Sequence, residues 1–177
     1  MQVTRCRAYV FLVRYDFEWR TQKRKEKTRE RRKDQQMTTV SVVSGDWKTY
    51  QHECERVRAM VFIAEQKVPR EMEFDEDDHT AEHFVAIDSR KMVMGCARLL
   101  DDGRIGRVAV LRPFRRRGMG RTIMEAVLER AKARGMTSVY LGAQVQAQPF
   151  YEGLGFEPYG DIFDEAGIPH QMMRKAL

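Results

Sequence analysis

IGRVAVLRPFRRRGMG, residues 105–120, runs directly into RTIMEAVLERAKARG, residues 121–135, and this pair of stretches decides how the chain is read. Ile105, Val108 and Val110 form a short apolar strand pattern that leads into Arg112-Pro113, and an arginine-rich turn ends in Gly118-Met119-Gly120. Apolar residues then recur at 123, 124, 127, 128 and 131, the spacing of one helix face. A strand, a basic glycine loop and a helix start together make an anion site. The first amides of a helix lack intrahelical acceptors, and the positive end of the helix dipole lies beside them. Glycine lets a phosphate approach the backbone, while Arg115, Arg116 and Arg117 add charge. The stretch therefore predicts a phosphorylated ligand. No Lys-Ser/Thr follows the second glycine, so the magnesium-binding residue of a P-loop is missing, and no G-x-G-x-x-G supports a dinucleotide fold.

The 177 residues suit one domain with a real core. No apolar run approaches the roughly 18–20 residues that span a bilayer. The apolar stretch from Ala8 is cut off by Arg14, too early for a secretory signal, so export is not expected. Cys6, Cys54 and Cys96 are odd in number and far apart, and read as reduced thiols of a cytoplasmic protein. The net charge of +6 is unevenly placed: residues 1–36 carry 12 Lys and Arg against 5 Asp and Glu, and the remainder carries 20 against 21. Nucleic-acid binding is therefore confined to the leader. Its segment TQKRKEKTRERRKDQQ, residues 21–36, has no apolar residue to bury. Three readings stay open for residues 1–36: a flexible extension, an upstream start ahead of a natural Met37, or a basic arm for RNA, DNA or ribosomes.

The domain proper is read over residues 37–177. TTVSVV is a β-branched strand, and Ser44-Gly45-Asp46 supplies a turn and helix cap. Trp47, Tyr50, Cys54, Val57 and Val61 then mark a helix face. Residues 66–80, with Pro69 and the run EMEFDEDDHT, read as a loop that can hold a short helical turn. Segments 83–87 and 92–100 pair as antiparallel strands across Asp88-Ser89-Arg90-Lys91, and a tight turn at 101–104 feeds the strand before the glycine loop. The helix from Gly118 stops near Gly135, a strand covers 138–142, a short helix follows Gln148-Pro149, and a final strand or hairpin starts at Phe156.

Three ordered motifs carry a family resemblance. Arg115-x-x-Gly118-x-Gly120 resembles the acetyl-CoA signature of the GCN5-related N-acetyltransferases, the GNAT superfamily. YLGAQVQAQPFYEGLGF, residues 140–156, resembles the strand, loop and F-Y-E-x-L-G-F pattern that follows it there. Arg58, Val61-Phe62 and Glu65-Gln66, followed by Glu73, Asp75, Asp78, Ala81 and His83, resemble the ElaA-like branch of small bacterial GNATs. The likeness covers about residues 38–175.

The resemblance implies an α/β fold whose mixed, mostly antiparallel sheet is flanked by helices and splays between the strands at 105–111 and 138–143. It implies acetyl-CoA as co-substrate, its pantetheine arm pairing with the main chain of Val108, Ala109 and Val110 as an added strand. Its pyrophosphate would rest on the amides of Arg115, Arg116, Arg117, Gly118, Met119 and Gly120. The implied activity is N-acetyltransfer to a primary amine of a small molecule or protein, by direct attack in a ternary complex. No cysteine stands in a nucleophile context. Tyr151 occupies the motif's place for the acid that protonates the leaving thiolate. The strand before the glycine loop has no carboxylate, so a base would fall to Glu65, Glu82, His83 or a water chain.

On the acceptor side, Glu65, His83, Arg98 and Gln144 are the candidate substrate residues. Arg98 shares the register of Cys96 and Leu100, unusual for a charge on a core face, and the acidic run is either a solvated loop or a wall for a cationic amine. Gln144, Gln146 and Gln148 either line the acceptor cleft or cap the strand end. No metal is expected: an EF-hand counted from Asp75 would find Thr80 and Ala86 where Gly and Glu are needed, and only His79 and His83 could ligate zinc. A non-catalytic acyl-CoA-binding module and a nucleic-acid protein acting through residues 1–36 are the alternatives. No membrane partner is expected, and exposed strand edges suit a homodimer.

Overall fold

The computed structural model describes residues 40–177. The boundary at Met37 and every reading of residues 1–36 lie outside the described residues.

Four strands, β1 (Val40–Gly45), β2 (Glu82–Asp88), β3 (Val93–Leu99) and β4 (Ile105–Val110), form an antiparallel sheet in that order. A second sheet has the order β5-β7-β6, from β5 (Ser138–Gln144), β6 (Glu157–Glu165) and β7 (Ile168–Ala176). The sheets meet at a single parallel bridge, Arg104 with Tyr140, where the Tyr140 N–H also donates to the Gly103 carbonyl at 3.1 Å. Beyond that bridge β4 and β5 share no ladder, so a gap opens toward Val110 and Gln144.

Helices cover both faces of the first sheet. α1 (Trp47–Arg58) starts at Asp46, whose carboxylate accepts the Thr49 N–H at 2.9 Å. Its Trp47, Cys54 and Val57, with Val61 beyond it, pack on Val85, Cys96 and Ala109. α4 (Met119–Ala133) buries Met119, Ile123, Met124, Val127, Leu128 and Ala131 against Phe84, Ala86, Met94, Ala97 and Leu99. Each fully buried aliphatic side chain of that stripe stabilises the fold by roughly 1.5–3 kcal/mol. Cover on both faces explains why β3 is buried along its whole length.

Three local features shape the gap. α1 continues as a π-helical stretch, Ala59–Glu65, whose wider turn sets Val61, Phe62 and Gln66 along the gap. The β3–β4 register shifts between Cys96 and Arg98, and Arg107 has φ +53°, so a bulge twists β4 in mid-strand. β6 and β7 are joined by Ala166-Gly167, both at positive φ, a tight hairpin turn whose flanks reach the same gap.

Residues 66–80 differ from the expected loop, folding as two single-turn helices, α2 (Arg70–Glu73) and α3 (Asp77–Thr80). Four residues are too few to show a helical apolar period, and burial of their carboxylates against arginines holds them in place. Among the described residues no helix is long and apolar enough to cross a membrane.

Candidate functional site

The loop between β4 and α4 has a backbone that alternates in hand. Arg116 has φ +58° and Gly118 φ +82°, and Gly118 lies just outside the first residue of α4. Such alternation turns successive amides toward one side and makes a concave anion seat. The first backbone bond into the helix is Thr122 N–H to the Gly118 carbonyl at 3.0 Å, so the amides ahead of it in the first turn are left over. Arg115, Arg116 and Arg117 are exposed there. Gly120 lies beneath the Phe150 ring: a Cβ would come within 3.3 Å of Phe150 Cζ.

The β4 edge follows from the ladder. The Leu111 N–H donates to the Met94 carbonyl at 2.9 Å, toward β3. In an antiparallel strand the neighbouring residue turns both its backbone groups the other way, so the Val110 N–H and carbonyl face the gap. The Val110 carbonyl accepts Arg115 Nε at 2.7 Å, and Arg115 Nη1 bonds Glu65 Oε2 at 2.8 Å.

A cavity of about 490 Å³ fills the gap. Val108, Ala109 and Val110 line one side, Leu141, Gly142 and Gln144 the other, with Tyr151 of α5 (Gln148–Glu152) in the wall. Phe62, Gln66 and Met72 cover it from above, and Glu165, Ile168 and His170 close it from the hairpin. The Tyr151 ring packs edge-on against Phe150 and Phe156, with centroids 5.0 and 5.9 Å away. Burial pushes its hydroxyl up to about 12, so it stays protonated. Gln144 exchanges amide bonds with Gln66, its Nε2 donating to Gln66 Oε1 at 3.0 Å, and accepts Gln146 Nε2 at 3.0 Å. All three of these glutamines line the cavity, whereas Gln148 donates to Gln171.

The acidic run proves to be neither a solvated loop nor a free acidic wall. Arg58 Nε bonds Glu73 Oε1 and its Nη1 bonds Asp78 Oδ1, each at 2.7 Å. Arg98 Nη1 reaches the same Asp78 oxygen at 2.7 Å and Arg98 Nη2 reaches Asp75 Oδ2 at 2.9 Å. Arg107 Nη2 adds 2.8 Å to Asp75, and Arg104 pairs with Asp77. Burial alone would raise the Asp78 carboxyl, but Arg58 and Arg98 outweigh it and hold the group below the usual carboxylate range. For Glu73 burial prevails over Arg107 and Arg58, and the shift is upward. Arg98 thus stands in the cavity wall with its terminal nitrogens already occupied by this chain's own aspartates.

The other sequence candidates fall elsewhere. His83 is buried between Trp47 and Cys54, its Nε2 2.8 Å from the Asp78 carbonyl oxygen, and is not part of the cavity lining. Glu82 pairs with Arg130 on the α4 side. Glu65 stands behind Arg115 rather than in the lining. Two lining residues with proton chemistry escaped the sequence reading, Glu165 and His170, and Glu73, read only as part of the acidic run, lines the cavity as well. Glu73 sat in a run that looked solvated. His170 follows a turn in a strand whose register is invisible until Gln144 is placed opposite it. Among the described residues, no group of three His, Cys, Asp or Glu side chains is arranged to hold a metal.

Comparison with known proteins agrees with this fold. Residues 48–177 match the acetyltransferase (GNAT) domain family. The uncharacterized N-acetyltransferase YjcF of Bacillus subtilis (strain 168) is 41% identical over 122 residues, which are 67% of this chain and 87% of that protein. A putative N-acetyltransferase structure from Lactobacillus plantarum superposes with a TM-score of 0.73 at 28% identity, covering 78% of this chain and 99% of the other. Escherichia coli ElaA superposes with a TM-score of 0.70 at 29% identity, covering 77% and 99%. This chain belongs to the GNAT acetyltransferase family, whose fold supports acyl transfer from acyl-CoA.

Proposed function

We propose that this protein moves an acetyl group from acetyl-CoA to a primary amine of a small molecule or protein, by direct attack in a ternary complex. One observation carries the reading: a single cavity runs from the Val108–Val110 edge past Tyr151 to the glutamine pair and the hairpin. The gap-facing Val110 carbonyl fits an added strand such as the pantetheine amides, and Arg115 Nε supplies a donor of the same kind to it. The loop amides of Arg115, Arg116, Arg117, Gly118, Met119 and Gly120, with the exposed side chains of the three arginines, fit a pyrophosphate. Cys54 and Cys96 are buried free thiols outside the cavity lining, which supports transfer without a covalent enzyme intermediate.

In the step itself the amine lone pair forms the C–N bond, and the C–S bond breaks with its electron pair on sulfur. The Val110 N–H faces the gap and is the donor available to the carbonyl oxygen as charge develops there. Tyr151 supports the departing thiolate as a hydrogen-bond donor. A phenol held near 12 is a poor acid but a dependable donor at neutral pH.

The test is free-thiol release from acetyl-CoA with spermidine, lysine methyl ester, glucosamine, phenethylamine and a peptide with a free N-terminus. Turnover with at least one amine is expected, and Tyr151→Phe should lower kcat by ~100-fold while acetyl-CoA binding stays within about twofold. Tight acetyl-CoA binding with no turnover across the panel would make the protein a non-catalytic binding module.

A further inference from the structure

We propose that His170 is the group that takes the proton from the acceptor amine; the assignment rests on the acetyl-transfer reading above. Strand register comes first. His170 pairs with Gln144 across β5 and β7, so the two side chains stand on one face of that sheet. Gln66 approaches Gln144 on this face. Tyr151 belongs to the opposite face, packed in the core with Leu141, Ala143 and Met173. Since side chains alternate along β5, a donor for the leaving group and an acceptor for the amine border one cavity from opposite faces of the splayed sheet.

The ring is set up to accept. His170 Nδ1 lies 2.8 Å from the Ile168 carbonyl oxygen. A carbonyl can only accept, so Nδ1 carries the hydrogen and the neutral ring's lone pair is on Nε2. Among the described residues Nε2 has no hydrogen-bond partner. Phe163 stacks on the imidazole at 5.9 Å with an interplanar angle of 27°, which holds the ring plane. The charged groups that share the cavity are Glu165 from β6, Glu73 from α2, Arg98 and Arg107 from β3 and β4, and Arg104 and Arg115 from the flanking loops. Arg58 and Arg107 hold Glu73, and Arg115 holds Glu65. Glu165 is exposed at the hairpin, so among the buried lining groups His170 is the base whose lone pair is not already engaged.

Proton balance follows. Over one turnover an ammonium acceptor sheds two protons. Nε2 takes the first, freeing the attacking lone pair, and the imidazolium returns it to solvent. The second leaves nitrogen as the C–N bond forms and balances the proton gained by the departing thiolate.

The experiment compares wild type, His170→Ala and His170→Gln with acetyl-CoA and the fastest amine of the panel, alongside acetyl-CoA affinity and thermal melting. Both variants should lose ~100-fold or more in kcat/KM, with acetyl-CoA affinity unchanged. Added imidazole should restore part of the rate of His170→Ala, where the ring's space is open, and none of His170→Gln, where it is filled. If His170→Ala does not fold, undiminished kcat/KM in His170→Gln still overturns the proposal. So does a loss in His170→Ala that imidazole does not relieve, because a packing role predicts that result. A wild type that binds acetyl-CoA but acetylates no amine overturns the transfer reading along with this one, whereas an active wild type with unaffected variants overturns His170 alone.

Discussion

Arg98 and Arg107 line the cavity, with Arg58 bonded to the same carboxylates, and Arg115, Arg116 and Arg117 stand in the loop after β4. Arg58 and Arg98 are almost wholly buried and Arg107 is partly buried, and all three are bonded to Glu73, Asp75 or Asp78. Arg116 and Arg117 are exposed beside leftover helix amides, and Arg115, exposed as well, is bonded to Glu65. The same side chain thus does two jobs. A guanidinium taken out of water demands carboxylates at bonding distance, and once paired it has little charge to offer a ligand. An exposed guanidinium adds little stability yet keeps its charge available. Pairing decides which arginines make the wall rigid and which can hold an anion.

The comparison breaks most sharply at Asp78, whose Oδ1 accepts from both Arg58 and Arg98. Asp78→Ala leaves two buried cations without that partner and should destabilise the domain by about 3–5 kcal/mol in chemical denaturation. Protein that remains folded should bind acetyl-CoA nearly as before. Acid probes the same pair of regions. Asp75 and Asp78 are held below their ordinary value of 3.8, so their contribution to stability is complete above that pH and is lost as pH falls through the lower folded values. Glu73, shifted upward, acts in the opposite direction. Denaturation curves below pH 4 should therefore steepen in wild type and flatten in Asp78→Asn; equal curves would remove Asp78 from the network's energetics.

Gly120→Glu tests the glycine loop. It places bulk against Phe150 and negative charge among the free amides, and should weaken acetyl-CoA binding by ~100-fold, about 2.7 kcal/mol, with little change in melting temperature. Gly120→Ala needs only a small shift of the Phe150 ring and should bind nearly normally. If Gly120→Glu binds like wild type in calorimetry, the pyrophosphate lies elsewhere. The smallest effect belongs to Arg116→Ala with Arg117→Ala. Exposed charges of this kind are worth about 0.2–1 kcal/mol each, so affinity should fall several-fold at low salt and converge with wild type at high salt. A matching loss of stability would mean that these arginines belong with the first set.

Much of the fold is legible in the sequence because it rests on short-range patterns. The apolar stripe from Met119 to Ala131, the Asp46 cap and the positive-φ Gly118 each depend on residues within a turn or two. The acidic run shows where this fails. Its charge looks solvated in a linear reading, since nothing nearby in sequence reveals that Arg58, Arg98 and Arg107 converge on it from a helix and two strands. The candidate site divides in the same way. Val108–Val110, Arg115, Tyr151 and Gln144 line one cavity, whereas the rest of the glycine loop, His83 and Glu65 fall outside its lining and His170 enters it through a cross-strand register.

By itself, the sequence determined the strand, loop and helix that make an anion seat, because helical and strand periods and glycine's backbone freedom act locally. Tertiary structure alone decided which charges are neutralised, how β4 and β5 part beyond Arg104, and which histidine stands beside the gap. Those outcomes depend on register and burial between residues far apart in the chain, where a shift of one position turns a side chain to the other face of a sheet.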